Sequence, residues 1–278
     1  MAEQNTYHPI GVFDSGFGGL TILKALTIEL PQYDYIYLGD NARTPYGTRS
    51  FETVYQFTLE CVKKLFGMGC NLVVLACNTA SAKALRTIQQ HDLPIIDPSK
   101  RVLGVIRPSV EQIGAYTKNK KKWEFLGTSG TVLSESYVLE INKLFPDIKV
   151  YQEACPMWVP LVENNEYASD GADFFVKKHI EGLLSKNNSI DTIILGCTHY
   201  PLLIEKILKY TPSHIRIISQ GEIVASSLKD YLYRHPEMEI RCSKGSRKVY
   251  YTTESARHFD NQASIFSKEP IQSTHLAI

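Results

Sequence analysis

Along the first hundred residues, short apolar runs alternate with amphipathic segments. IGVFD (10–14), YDYIYLGD (33–40) and NLVVLACN (71–78) are strand-length runs that end at glycine, aspartate or asparagine. Between them, LTILKALTIEL (20–30) repeats apolar residues at helical spacing and stops at Pro31. SFETVYQFTLECVKKLFGMG (50–69) opens on an N-cap serine, carries an apolar stripe and ends on glycine, and ASAKALRTIQ (80–89) is helix-like. This alternation predicts α/β layers around a mostly parallel sheet, because parallel neighbours need a helical crossover.

LPIIDPSKRVLGVIRPSVEQI (93–113) holds three prolines and little helical pattern until its end, so it reads as a crossing between two units. The alternation then restarts. KKWEFLGT (121–128), IKVYQEA (148–154) and DTIILGC (191–197) read as strands, with SESYVLEINKLF (134–145) and a segment near 170–185 as helices. The later strands IRIIS (215–219) and KVYYTT (248–253) are expected to return to the first sheet.

The halves also match in order. DSG at 14–16 has a counterpart in TSG at 128–130, the loop TPYGT (44–48) pairs loosely with a loop VPLVE (159–163), and Cys77 pairs with Cys197. Repeated features in one order suggest a duplicated α/β unit. We therefore expect two similar domains, 1–98 plus 216–278 and 99–215. The first carries Asp14 and Cys77, the second Glu163 and Cys197.

Composition narrows the function. The chain has 278 residues, 44% of them hydrophobic, enough for a sizeable core. Its 30 basic and 29 acidic residues nearly cancel, so no overall field favours nucleic acid or an anionic membrane. The run Lys118, Lys120, Lys121, Lys122 is short and reads as a solvated helix end or turn. No segment reaches the ~18 apolar residues of a membrane span, and MAEQNTYHP has no apolar core of a signal peptide. The six cysteines never approach CxxC spacing, which predicts a reduced, cytoplasmic protein.

Two of those cysteines stand out. VVLACNTAS (73–81) and IILGCTHYP (193–201) each run an apolar strand into a cysteine followed by small polar residues. Alone, either thiol reads as a packed small hydrophobe. Together they sit at strand ends, as do Asp14 and Thr128, where open α/β sheets bind ligands. Asn78, Thr79, Thr198 and His199 are donors at helix N-termini, which favour anions, and His199 can share a proton with Cys197. DSGFGGL (14–20) is neither G-x-G-x-x-G nor a P-loop, and Asp14 could be a helix N-cap, a ligand for an ammonium or an orienter of a thiol. Two opposed acid/bases can remove a proton from one face of a carbon and return one to the other, which inverts that carbon.

With these residues assembled, the chain resembles the glutamate racemases of the cofactor-independent aspartate/glutamate racemase family. GVFDSGFGGLTIL, PYGTRS, VVLACNTAS, LGTSGT, CPMWVPLVE and LGCTHYPLL carry the likeness over nearly the whole chain. The resemblance implies an active site in a cleft between two α/β domains. In it Cys77 would take the proton from the D-enantiomer and Cys197 from the L-enantiomer. Asp14, Glu163 and His199 would assist the thiols. Asp14 with Ser15, Tyr46 with Gly47, Asn78 with Thr79, and Thr198 with His199 would hold the amino acid, with Thr128 and Thr131 bordering it. It also implies no pyridoxal phosphate and no metal, a homodimer, and supply of D-glutamate to peptidoglycan. GVIRPS (104–109) departs from the family's GVI-x-PG or PA at Ser109. Racemisation of aspartate or a related acid, metal binding by Cys77, Cys197 and His199, and non-catalytic amino-acid binding are the alternative readings.

Overall fold

The computed structural model describes residues 8–112, 122–186 and 190–278. Ten strands form two sheets. They are β1 (Ile10–Asp14), β2 (Tyr35–Gly39), β3 (Leu72–Leu75), β4 (Arg101–Gly104), β5 (Lys122–Gly127), β6 (Lys149–Ala154), β7 (Thr192–Gly196), β8 (Arg216–Ile218), β9 (Lys248–Thr252) and β10 (Ser273–His275). The first sheet runs β10-β9-β2-β1-β3-β4 and the second β6-β5-β7-β8. Every pairing is parallel. The expected fold class, two α/β units with parallel sheets, is what forms.

The central strands are apolar throughout because helices cover both faces of each sheet. All five residues of β1, of β2 and of β7 are buried. Helix Gly19–Glu29 buries Leu20, Leu23 and Leu26, at i, i+3 and i+6, and packs against helix Gly221–Arg234. Each fully buried leucine contributes ~1.5–3 kcal/mol. Helix Phe51–Gly67 starts where expected: Ser50 accepts from the Thr53 N–H at 3.1 Å, a cap worth ~1 kcal/mol. It ends before Gly69, which takes a positive φ of 96°.

The duplication is visible as topology. β2-β1-β3-β4 and β6-β5-β7-β8 are the same order, four strands apart in sequence. Register carries the likeness to the strand ends: Asp14 pairs with Gly39 and Phe13 with Leu75, while Gly127 pairs with both Ala154 and Gly196. The chain therefore leaves β1, β2 and β3 at one edge of the first sheet, and β5, β6 and β7 at one edge of the second.

Several expectations are corrected. IRIIS does not return to the first sheet. It is β8, paired with β7 from Thr192↔Arg216 to Ile194↔Ile218, because helix Ile204–Tyr210 makes a single crossover beside β7. KVYYTT does return, as β9 against β2. The stretch 93–113 is more than a crossing: it contains β4, which completes the first sheet beside β3, and helix Ile106–Glu111. The strands thus place the passage between sheets after Gly104 rather than at residue 99, and the return after Ile218 rather than at 216. VPLVE is not a loop but most of helix Trp158–Glu163, since Trp158 and Val162 share one buried face. Of the lysine run, Lys118, Lys120 and Lys121 lie outside the described residues, and Lys122 opens β5. No described helix is long and apolar enough to cross a membrane.

Candidate active site

The two sets of strand ends face each other across a cavity of about 610 Å³ when its solvent-open mouth is counted in. Its first wall comes from the loop after β1, the loop after β2 and the start of helix Asn78–Lys83: Ser15, Tyr46, Gly47, Cys77, Asn78 and Thr79. Its second comes from the matching segments of the other sheet: Thr128, Glu163, Cys197, Thr198 and His199. Asp14 and Thr131 are not on the cavity surface. Asp14 is buried behind Ser15, and Thr131 lies behind Thr79 and Thr128.

Cys77 occupies the N-cap of helix Asn78–Lys83, and its sulfur accepts from the Ala80 N–H at 3.4 Å. Ser15 Oγ lies 3.4 Å from the same sulfur. Burial, then the nearby Asp14 carboxylate, push the thiol up to about 12, against the pull of the Ser15 and Ala80 hydrogen bonds. Burial also raises Asp14 above the usual carboxylate value, although His199 acts the other way. Asp14 Oδ2 accepts from the Gly16 N–H at 3.0 Å, and Oδ1 has no hydrogen-bond partner among the described residues. A buried carboxylate oxygen without a donor costs free energy.

The Cys197 wall is built from a relay. Cys197 Sγ lies 3.8 Å from His199 Nδ1, and His199 Nε2 lies 3.0 Å from Glu163 Oε1. Burial works against a charged imidazole, but hydrogen bonds and charge from Cys197 and Glu163 outweigh it and raise His199 well above its ordinary value. Helix Trp158–Glu163 presents Glu163 at its last turn, which the sequence pattern assigned to a loop.

Close approaches hold the walls in register. A Cβ on Gly18 would come within 2.5 Å of His199 Nδ1, so only glycine lets the loop after β1 lie against the relay. Thr21 Oγ1 donates to the Thr198 carbonyl at 3.3 Å. On the other side, Gly130 N donates to the Gly47 carbonyl at 2.8 Å, and Thr79 Oγ1 meets Thr128 Oγ1 at 3.0 Å. The Tyr46 hydroxyl donates to Asp40 at 2.5 Å, which keeps the ring inward.

Sequence reasoning missed Thr44, Pro45, Thr48, Ser129, Cys155 and Pro156 as cavity residues. TPYGT and CPMWVPLVE were visible as motifs, and the register of β6 with β5 would have placed Cys155 at the same edge as Thr128. Cys155 is buried, which raises its thiol well above the usual range. The metal reading has no geometry behind it: among the described residues no group of three or more His, Cys, Asp or Glu side chains could hold an ion.

Two matching α/β units with a thiol on each side of one cleft form an arrangement that can transfer protons at both faces of a carbon. The family model for Asp/Glu/hydantoin racemases matches residues 21–228. The glutamate racemase of Sulfurihydrogenibium sp. is 40% identical over 248 residues, covering 89% of each chain. That of Persephonella marina is 41% identical over 247 residues, covering 88% of each. Among solved structures, glutamate racemase isoform RacE1 from Bacillus anthracis superposes with a TM-score of 0.88 at 33% identity over 99% of both chains. The Francisella tularensis glutamate racemase in complex with D-glutamate gives 0.85 at 31% identity over 98% of both. The chain belongs to the Asp/Glu/hydantoin racemase family and is an amino-acid racemase.

Proposed function

We propose that the chain interconverts L-glutamate and D-glutamate by a two-thiol reaction at the α-carbon. The observation that carries this reading is the placement of Cys77 and Cys197 on opposite walls of one cavity. Starting from L-glutamate, the Cys197 thiolate takes the α-proton. The C–H bond breaks, an S–H bond forms, and the electron pair passes into the α-carboxylate as an enolate. The Cys77 thiol then gives its proton to the other face, which leaves D-glutamate, a Cys77 thiolate and a Cys197 thiol. The D-to-L reaction runs these steps backwards.

His199, held protonated between Cys197 and Glu163, supports a thiolate on its wall by donating toward the sulfur. Asp14 favours the proton on Cys77. The substrate is held by neutral groups: the N–H groups that open helix Asn78–Lys83 suit the α-carboxylate, and the hydroxyls of Ser15, Thr79 and Thr198 can donate to that carboxylate or accept from the ammonium. The loop of Tyr46 and Gly47, clamped by the Gly130 N–H, suits the distal carboxylate. Catalysis without a cofactor or metal, a cytoplasmic location, a homodimer and supply of D-glutamate to peptidoglycan complete this reading, on the strength of the family resemblance.

The test is incubation with D-glutamate in deuterated water, without pyridoxal phosphate, with aspartate as the comparison substrate. Optical activity decays and deuterium enters the α-carbon. If both Cys77→Ser and Cys197→Ser racemise at the normal rate, the two-thiol account fails. Faster turnover of aspartate would move the specificity away from glutamate.

A further inference from the structure

Behind the Cys77 wall, three buried side chains close a hydrogen-bonded ring whose polarity is forced. The Val105 carbonyl oxygen can only accept. Gln220 Nε2 lies 3.3 Å from it and 2.6 Å from Ser109 Oγ. Ser109 gives its own hydrogen to the Val105 oxygen at 2.8 Å, so it too must accept from Gln220. The Gln220 nitrogen therefore faces residues 105–109, and its Oε1 faces Asn78 at 2.6 Å. Asn78 must place Nδ2 there. Its Oδ1 then accepts from the Tyr137 hydroxyl at 2.7 Å, and that hydroxyl accepts from Gln220 Nε2 at 2.8 Å. Gln220 Nε2 shares its two hydrogens among three acceptors. The reversed amides would set an oxygen against the Val105 oxygen and forfeit that oxygen's contacts with Gln220 and Ser109, so this is the assignment that fits all six contacts.

The ring ties distant parts of the chain together. Val105 and Ser109 lie where the chain passes from one sheet to the other, Tyr137 lies in helix Ser136–Leu144, and Gln220 immediately precedes helix Gly221–Arg234. Asn78 is the first residue after Cys77, and of the three ring members it alone lines the cavity. Gln220 is 3% exposed and Tyr137 fully buried. A flip of either amide would strand several buried donors and acceptors at once.

We propose that Gln220 is a positioning residue: with Tyr137 it locks the Asn78 amide so that the substrate's α-carboxylate meets an N–H rather than a carbonyl. An unlocked Asn78 amide could rotate and present its oxygen, which repels a carboxylate. The locked amide uses one Nδ2 hydrogen on Gln220, and the second has no protein partner among the described residues. This inference rests on the glutamate racemase reading and assigns the α-carboxylate end of that site.

The experiment is steady-state racemisation by Gln220→Leu, with the unmodified chain and Asn78→Ala in parallel. Loss of a hydrogen bond to a charged group predicts a KM for both enantiomers raised ~10-fold or more, with kcat changed by less than ~3-fold. Tyr137→Phe moves KM in the same direction and serves if Gln220→Leu does not fold. In an Asn78→Ala background, either change leaves KM where Asn78→Ala alone puts it. An unchanged KM in a folded Gln220→Leu or Tyr137→Phe enzyme overturns the inference while the racemase reading stands. So does a full effect that persists without Asn78, or a fall in kcat alone. Failure of the unmodified chain to racemise glutamate removes the reading first and the inference with it.

Discussion

Cys77 and Cys197 stand at matching positions of two sheets with the same strand order, yet their surroundings differ in charge. Behind Cys77 lies Asp14, and the sulfur's partners are a hydroxyl and a backbone N–H. Behind Cys197 lies an imidazole backed by a carboxylate. One wall thus stabilises the protonated thiol, and the other sets a raised imidazole beside its sulfur. The duplicated scaffold supplies the opposed geometry, and a handful of non-equivalent neighbours make the two walls electrostatically different.

The comparison breaks most sharply at the sulfurs. In Cys77→Ser and Cys197→Ser, racemisation falls by ~10³-fold or more, since a serine hydroxyl is a far weaker acid than a thiol. Solvent exchange of the α-hydrogen should survive selectively: from L-glutamate in Cys77→Ser and from D-glutamate in Cys197→Ser. Proton NMR in deuterated water reads this, and equal exchange of both enantiomers in either variant would erase the assignment of walls.

A smaller effect is expected at the assisting carboxylate of the Cys77 wall. Asp14→Asn should lower kcat by ~10²-fold yet raise stability at neutral pH. The sign follows from linkage. Asp14 binds its proton more tightly in the fold than in the unfolded chain, so the stability that its protonation contributes is present below pH ~4 and lost as pH rises through the folded value. At neutral pH the raised value is a cost to folding, and asparagine removes the ionisable group while keeping an oxygen for the Gly16 N–H. Calorimetry should show a higher Tm, by ~2–4 °C for each kcal/mol gained.

On the opposite wall, Glu163→Gln removes a charge that helps to hold the proton on His199. The variant should lose ~10-fold in kcat from L-glutamate and less from D-glutamate. Its alkaline limb should move to lower pH, because His199 then gives up its proton sooner. A pH–rate profile in each direction checks the sign. The smallest effect is expected for Ser15→Ala, which removes one weak contact to Cys77 at 3.4 Å. Because Ser15 also faces the substrate, a ~2–5-fold loss in kcat/KM, larger from D-glutamate than from L-glutamate, is the expected result.

Much of this was legible along the chain. The apolar strands of the first sheet and the N-cap of Ser50 announce themselves through period and capping chemistry, which are local properties. The two thiols were legible as a pair because each ends an apolar strand in the same local wording. Glu163 was harder. VPLVE is a short apolar stretch around Pro160, and its helical form depends on burying Val162 together with the preceding Trp158. IRIIS could pair with either sheet by composition, and the crossover through helix Ile204–Tyr210 chose the second. Ser109 and Gln220, 111 residues apart, share nothing in sequence that signals a contact.

The sequence by itself determined the alternating elements, the repeated order of two α/β units and the residues that end their central strands. These follow from hydrophobic period, turn chemistry and spacing, all of which act over a few residues. Tertiary structure alone decided that Asp14 sits behind Cys77 rather than on the cavity surface, that Glu163 reaches His199, and which way the Asn78 amide points. Those outcomes depend on the desolvation and hydrogen bonding of groups brought together from distant segments, and they have no local signature.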